Sequence, residues 1–112
     1  MSGTDPAPFS VAVDDHNGRL VVIVRGELDL ATAPQLEEAV LPAVRAGRDT
    51  VIDLRDLEFM DSTGVRVMVA AHLAAQEHGG RLAVVRAHAG TPVHRVLEVS
   101  GLDSVLEMVD DL

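Results

Sequence analysis

The order of its apolar segments is the feature that most constrains the fold of this chain. Residues 9–13 alternate between larger apolar side chains and small or polar ones, as in a strand buried on one face. Residues 20–24 form a continuous β-rich run, typical of a strand buried on both faces. Two further strands are predicted at 50–54 and 82–85, and a short loop at 55–60. Segments with helical spacing follow the last three strands, which predicts parallel pairing among them.

The Asn17-Gly18 pair predicts that the first two strands form an antiparallel hairpin, because both residues tolerate the positive φ of a two-residue turn. The expected fold is therefore α/β, a mixed β-sheet with an N-terminal hairpin and interleaved helices. Residues 1–8 contain Ser, Gly, Asp and two Pro, which predicts a flexible tail. Residues 9–112 are predicted to form a single domain, since a chain of this length supports one hydrophobic core.

The first helix is expected between residues 32 and 47, with either Thr32 or Asp29 as its cap. Pro42 falls inside this segment. Because proline has no amide hydrogen, we expect the helix to kink there or to end early. A shorter helix is expected to open at Pro92. Residues 105–109 are a short apolar piece that could be helix or strand.

The second helix is expected from Ser62 to about residue 78, with Val65, Val69 and Leu73 as its apolar stripe. It opens with the stretch Asp-Ser-Thr-Gly at residues 61–64. The first amides of a helix have no internal hydrogen-bond partner. Ser62 is therefore placed either to cap the helix or to be a site where a phosphate group sits. Both interpretations require the same geometry.

Composition excludes several classes of partner. The formal net charge is −9, from 18 acidic residues and 9 basic residues that are all arginine. Nucleic acid and anionic membranes would be repelled, whereas a partner with a basic face would be favoured. Solubility alone is an equally good explanation of the acidity. Phe9 and Phe59 are the only aromatic residues, so base-stacking platforms are lacking. Without cysteine there is no disulfide or zinc–thiolate site.

Motifs for catalysis are incomplete. Met60 replaces the first glycine of the hydrolase motif Gly-x-Ser-x-Gly, and a chain without lysine cannot form a phosphate-binding loop of the Gly-Lys-Ser/Thr type. The five histidines show no metal-ligand spacing. No apolar run approaches the ~20 residues that span a bilayer, and residues 1–8 do not resemble a signal peptide. We therefore expect a cytoplasmic protein that is not an enzyme, with no cofactor, metal or membrane insertion.

Carboxylates follow several of the predicted strands. In an α/β sheet the carboxyl ends of parallel strands form one rim, which is where function usually resides. These acids are either ordinary solvated loop residues or an acidic rim around Ser62. They are Glu27, Asp29, Asp53, Asp56, Glu58 and Asp61.

An ordered set of short stretches resembles the STAS domain, in its anti-sigma factor antagonist branch, over about residues 9–112. The stretches are Gly-Glu-Leu-Asp at 26–29, Thr-Ala at 32–33, Val-Ile-Asp-Leu at 51–54, Phe-Met-Asp-Ser-Thr-Gly at 59–64, Gly-Arg-Leu at 80–82 and Val-Leu-Glu-Val-Ser-Gly-Leu at 96–102. The family's fold is also a mixed sheet with interleaved helices.

The resemblance implies partner switching. In that family the unphosphorylated antagonist binds an anti-sigma factor that is also a serine kinase, which frees the sigma factor. Phosphorylation of the antagonist ends the complex, and a serine phosphatase resets the cycle. By position, Ser62 is the phosphoacceptor. Asp29 matches the acid near that serine, and Asp61 and Gly64 match the flanks of the motif.

We accordingly expect the partner-binding residues to be Asp29, Asp61, Ser62, Thr63, Gly64 and Arg66. Arg66 departs from the family pattern, which usually has a small residue there. The alternative is a STAS binding module without a phospho-cycle, in a transporter or a larger signalling assembly. The complete Asp-Ser-Thr-Gly stretch favours the phosphorylated antagonist over this alternative.

Overall fold

A mixed β-sheet forms the centre of the protein, and its helices pack mainly against one face. The computed structural model describes residues 8–112. The predicted tail at residues 1–8 therefore lies almost wholly outside the described residues. Within them the elements are β1 Ser10–His16, β2 Arg19–Leu28, α1 Ala33–Arg45, β3 Thr50–Asp53, β4 Leu57–Met60, α2 Ser62–His78, β5 Leu82–Val85, α3 Pro92–Val99, α4 Leu102–Val105 and β6 Glu107–Val109.

The sheet has six strands, which confirms the predicted mixed α/β architecture. Its main order is β1-β2-β3-β5-β6, and β4 pairs separately with β2. Strands β1 and β2 are antiparallel, and all the other pairs are parallel. The hairpin turn contains Asn17 at φ 55° and Gly18 at φ 84°, as the sequence predicted.

Strand β4 was not predicted, because residues 55–60 had been assigned to a loop. Strand β2 continues to Leu28, beyond the end of its pairing with β3, and this extension pairs with β4. The register shifts between Gly26 and Glu27, and Gly26 adopts φ 90°. This irregularity turns the end of β2 toward a new neighbour. The signal at 57–60 is weak because only the first and last residues of β4 are buried.

Helix α1 runs through Pro42 to Arg45, so of the two expected effects of proline, a kink or an early end, the early end is wrong. Its buried residues are Ala33, Leu36, Val40 and Val44, with the last three at intervals of four. Pro42 lies on the exposed side of the helix, and its carbonyl accepts a hydrogen bond from the amide of Ala46 at 3.1 Å. Packing of the buried face outweighs the one amide that proline lacks.

Helix α2 spans the expected residues but buries a different face from the predicted stripe. Val65 and Val69 are half-buried, and Leu73 is 57% exposed. Most of the residues that do face the core are small, which allows the helix to lie close to the sheet and to α1. They are Gly64, Val67, Met68, Ala71 and Ala75. The larger side chains at 65, 69 and 73 therefore lie along the margin of the buried face.

The opposite face of the sheet has a smaller core of Val51, Ala83 and Val85.

The C-terminal residues after β6 form ion pairs with arginines. Arg86 pairs with Asp110 at 2.7 Å, and Arg55 pairs with Asp111 at 3.2 Å. The ambiguous segment 105–109 comprises the end of α4 and strand β6. No helix in the described part of the chain is long and apolar enough to cross a membrane.

Candidate functional site

The ends of β2 and β4 lie side by side. Leu28 pairs with Met60 in the parallel register, and the amide of Asp61 donates a hydrogen bond to the carbonyl of Leu28 at 3.3 Å. Asp29 and Asp61 each follow one of these paired residues. The prediction that Asp29 and Ser62 share one rim at the strand ends is thereby confirmed.

Ser62 is the first residue of α2, and it is exposed. The cap of the helix is Asp61 and not Ser62, because the Asp61 carboxylate accepts a hydrogen bond from the amide of Thr63 at 2.8 Å. Among the residues that the structure describes, none forms a hydrogen bond with the Ser62 hydroxyl. Ser62 thus lies at the expected position, and its hydroxyl is accessible to another molecule.

Asp29 organises the turn that leads into α1. Its carboxylate accepts hydrogen bonds from the amides of Ala31 and Thr32 at 3.0 and 3.2 Å. The Thr32 hydroxyl donates to the carbonyl of Glu27 at 2.8 Å and accepts from the amide of Asp29 at 2.9 Å. Thr32 is the N-cap residue but makes no side-chain cap, and the Asp29 carboxylate bonds amides that precede the helix, so neither predicted side chain caps α1. The main-chain carbonyl of Asp29 accepts a hydrogen bond from the amide of Ala33 at 2.8 Å. The acid beside Ser62 is therefore held rigidly.

Gly64 is buried, unlike the exposed Ser62 and Arg66 and the half-buried Thr63. A Cβ atom at Gly64 would lie 2.2 Å from Cγ of Met60 and 3.0 Å from Cδ2 of Leu28. Its contribution to the site is this close packing of α2 on the ends of β2 and β4. It lies beneath the surface that a partner can touch.

Two clefts flank Ser62. The larger, of about 480 Å³, lies between the start of α2 and helix α3. It is lined by Asp61, Ser62, Val65, Pro92, Arg95, Val96, Val99 and Ser100. The smaller, of about 310 Å³, lies between the start of α1 and α2. It is lined by Leu30, Ala33, Pro34, Glu37, Thr63, Arg66, Val67 and Ala70.

Each cleft has a strongly exposed apolar side chain at its edge. Val99 is 81% exposed and Leu30 is 74% exposed, the two highest values among the exposed large apolar residues that the structure describes. Sequence reasoning missed both, and also missed Arg95. For Leu30 and Val99, the only indication in the sequence was their position. Leu30 follows Asp29 directly, and Val99 lies in the stretch at 96–102 that resembles the family.

The acids of the strand ends do not form one cluster around Ser62. Asp53 is buried, and Arg55 holds it through its guanidinium at 2.8 and 3.1 Å and through its amide at 3.0 Å. Burial alone would raise the pKa of Asp53, but the hydrogen bonds and charge of Arg55 outweigh it and lower that pKa. Asp56 pairs with Arg25 at 3.4 Å. In the part of the chain that the structure describes, no three His, Asp or Glu side chains could jointly hold a metal ion.

Comparison with known proteins gives a consistent result. The sequence profile of the family described as Mlab, STAS domain, matches residues 11–110. An anti-sigma F factor antagonist of Paenibacillus polymyxa is 33% identical over 107 residues, covering 92% of this chain and 88% of the relative. The anti-sigma-F factor antagonist RsfB of Mycobacterium tuberculosis is 32% identical over 108 residues, covering 96% of this chain and 86% of RsfB.

The structural comparison agrees. The crystal structure of an anti-sigma factor antagonist from Mycobacterium paratuberculosis superposes with a TM-score of 0.82 at 33% sequence identity. The match covers 94% of this chain and 88% of that one. The resemblance drawn from short stretches of sequence is thus confirmed over nearly the whole chain. This protein belongs to the STAS domain family, in the branch of the anti-sigma factor antagonists.

Proposed function

We propose that this protein is an anti-sigma factor antagonist whose partner is an anti-sigma factor with serine kinase activity. The unphosphorylated form binds that partner and thereby releases a sigma factor, and phosphorylation of Ser62 ends binding. The observation that carries the proposal is the exposed Ser62 at the start of α2, between two clefts edged by exposed apolar side chains. The names of the relatives support the same role.

The phosphoryl transfer requires only an accessible hydroxyl from this chain. The Ser62 oxygen attacks the γ-phosphorus of ATP that is bound to the kinase. A new O–P bond forms as the bond between the γ-phosphorus and the bridging oxygen of ADP breaks, and the serine proton passes to a base of the kinase. Hydrolysis of the phosphoserine by a serine phosphatase returns the hydroxyl and inorganic phosphate.

Phosphorylation is expected to act at the interface and not on the fold. The phosphate adds a charge of about −1.5 to −2 at pH 7. At an exposed helix start this charge changes stability by only about 0.3–1 kcal/mol. In a close-packed interface an unpaired charge costs several kcal/mol, and about 3 kcal/mol weakens binding roughly 100-fold.

The surface proposed for the partner consists of Asp29, Asp61, Thr63 and Arg66 around Ser62. Gly64 supports it from below through its packing on Met60. Asp29 and Asp61 are committed to backbone amides, so they present a rigid acidic edge. A basic surface on the kinase would complement this edge. This function places the protein in the cytoplasm, with the sigma factor.

The proposal is tested with the cognate kinase and titration calorimetry beside thermal melts. Ser62→Ala should bind as tightly as the unmodified protein, and the phosphorylated protein should bind at least 100-fold more weakly while its Tm moves by a few degrees at most. Ser62→Asp is an imperfect mimic that should follow the phosphorylated form. Ser104→Asp adds the same charge at an exposed serine of α4 and should leave binding unchanged.

Equal affinity of the phosphorylated and unmodified proteins would overturn the switch. Binding without any transfer of phosphate to Ser62 would instead identify a binding module that has no phospho-cycle. Peptide mass spectrometry distinguishes Ser62 from Thr63 as the acceptor. Thr63 is half-buried within the first turn, so Ser62→Ala should abolish phosphorylation.

A further inference from the structure

Most arginines of this protein are already engaged within the chain. Among the described residues, six of the nine form an ion pair or a hydrogen bond to an acceptor elsewhere in the chain. These six are Arg19, Arg25, Arg48, Arg55, Arg81 and Arg86. Arg45, Arg66 and Arg95 remain without a carboxylate in ion-pair range in that part of the chain. Two of these three lie beside Ser62, although the molecule as a whole is strongly acidic.

Arg66 lies one helical turn after Ser62 on α2. Residues four apart on a helix are neighbours on its surface, and an anion that precedes a cation by four is the favourable order. Both side chains are exposed, so neither must be desolvated before they meet. Arg66 approaches from the cleft that also contains Leu30.

Arg95 approaches from the other side. It lies on α3 and lines the same cleft as Ser62, across from Val65. The residue is exposed, and its long flexible side chain lets the guanidinium move within the cleft that it lines with Ser62. Ser62 lines the larger cleft with Arg95, and the adjacent Thr63 lines the smaller cleft with Arg66.

We propose that Arg66 and Arg95 form a binding site for the phosphoryl group of phosphorylated Ser62. This inference rests on the proposed function, since it requires that Ser62 carries a phosphate. A guanidinium offers planar pairs of N–H donors that match phosphate oxygens, which makes two arginines suited to hold a dianion between them. In the unphosphorylated protein both arginines are free to contact a partner.

The site would change the surface around Ser62 and not only its charge. Arg95 drawn toward the phosphate covers the cleft between α2 and α3. When Arg66 also moves toward the phosphate, its side chain leaves the cleft beside α1. A partner that binds unphosphorylated Ser62 then loses two cationic contacts and part of an apolar groove, in addition to meeting a new negative charge.

Several acidic side chains lie in the same region and would repel a phosphate group on Ser62. Asp61 lines the larger cleft, but its carboxylate is engaged with the amide of Thr63. Asp29 lies across the rim in the turn before α1. Glu37 lines the cleft that contains Arg66, and Glu98 lies beside Arg95 in a neighbouring depression. These four acids are unchanged when either arginine is replaced, so a comparison of arginine variants isolates the two cations.

The test uses protein with phosphoserine installed at position 62 during translation, so that no kinase is needed. Phosphorus NMR follows the second ionisation of the phosphate, which ordinarily has a pKa of about 6. Replacing Arg66 or Arg95 with Gln should each raise this pKa by about 0.2–0.7 unit, the value of one exposed ion pair. Arg45→Gln is the matched control, because Arg45 is an exposed and unpaired arginine at the far end of α1. It should leave the phosphate pKa unchanged.

A phosphate pKa in Arg66→Gln or Arg95→Gln equal to that in Arg45→Gln would overturn the two-arginine site. Thermal melts of the unphosphorylated variants should coincide, which shows that the substitutions leave the fold intact. The result does not depend on the kinase. Failure of the kinase to phosphorylate Ser62 would overturn the proposed function and leave the measured pKa shifts standing.

Discussion

The amide of Asp61 donates a hydrogen bond to the carbonyl of Leu28 and so joins the ends of two strands that are far apart in the sequence. Leu28 is fully buried and Asp61 begins the helix that carries Ser62. The exposed serine is therefore one residue from a fixed point of the core. Asp29, one residue beyond Leu28, is held at the same rim. In the candidate site, the backbone is held by the buried strand ends, while the serine hydroxyl is exposed.

Loss of the helix cap should destabilise the protein measurably. Asp61→Ala removes the acceptor for the Thr63 amide and should lower the free energy of unfolding by about 1 kcal/mol. Asp61→Asn retains an acceptor oxygen and should retain most of that stability. Urea unfolding of both variants at pH 7 measures the difference. Equal losses in Ala and Asn would show that the charge, and not the hydrogen bond, is what matters.

A methyl group at position 64 should be destabilising although alanine favours helices. In Gly64→Ala the new Cβ would lie 2.2 Å from Cγ of Met60, so the side chain of Met60 or the helix must move. Overpacking of this kind costs about 1–3 kcal/mol, and the helix propensity of alanine returns at most about 1 kcal/mol of that. Thermal or urea unfolding should therefore show a net loss.

The control for this prediction is a double variant. Met60→Ala removes the atoms that obstruct the new methyl group, at its own cost for the cavity. Adding Gly64→Ala to Met60→Ala should then cause a much smaller loss than Gly64→Ala alone, since only the 3.0 Å approach to Cδ2 of Leu28 remains. Additive losses in the double variant would mean that Met60 is not the obstacle.

The sequence alone predicted the hairpin, the positions of three helices and the placement of Ser62 near Asp29. These predictions depend on local chemistry. Asn17-Gly18 specifies a turn with positive φ, Gly79 ends α2 at φ 75°, and alternating strands and helices impose parallel pairing. The turn and the helix end are encoded within a few residues of the feature they determine, whereas the parallel pairing follows from the order of the elements.

The features that could not be predicted depend on contacts between distant parts of the chain. Strand β4 forms because β2 extends beyond the end of its pairing with β3 and leaves an unpaired edge there. The sequence of residues 57–60 contains no signal of that edge. The sequence left Ser62 as either a cap or a phosphate site, whereas in the structure the cap is its neighbour Asp61, which accepts the hydrogen bond of the Thr63 amide. The buried face of α2 follows from small residues that approach α1 and the sheet, not from its largest apolar side chains.

The pairing of Asp53 with Arg55 should make stability depend on pH in acid. The folded pKa of Asp53 is lowered, so its contribution is present above the unfolded pKa of about 3.9 and is lost as the pH falls through the lower folded value. Arg55→Gln leaves a buried carboxylate without its cation and should cost about 1–3 kcal/mol at pH 7.

The difference between Arg55→Gln and the unaltered protein should be largest near pH 7 and shrink in acid, first as Asp53 is protonated in the variant, where burial raises its pKa, and then as it is protonated in the parent. Urea unfolding across this range measures it. Arg86→Gln breaks an exposed pair with Asp110 and should have little effect at any pH. A difference for Arg55→Gln that persists at pH 2 would assign its cost to lost packing of the arginine stem.

The exposed apolar side chains beside Ser62 should contribute to partner binding and not to the fold. Val99→Ser and Leu30→Ser should each weaken binding of the anti-sigma kinase about tenfold or more, because full burial of a Val or Leu side chain contributes about 1.5–3 kcal/mol. Leu73→Ser is the matched control, since Leu73 is also exposed but lies about three turns after Ser62 on α2, outside both clefts. All three should melt within a few degrees of the parent. Calorimetric affinities that fall equally in all three variants would show that the contact surface is not centred on Ser62.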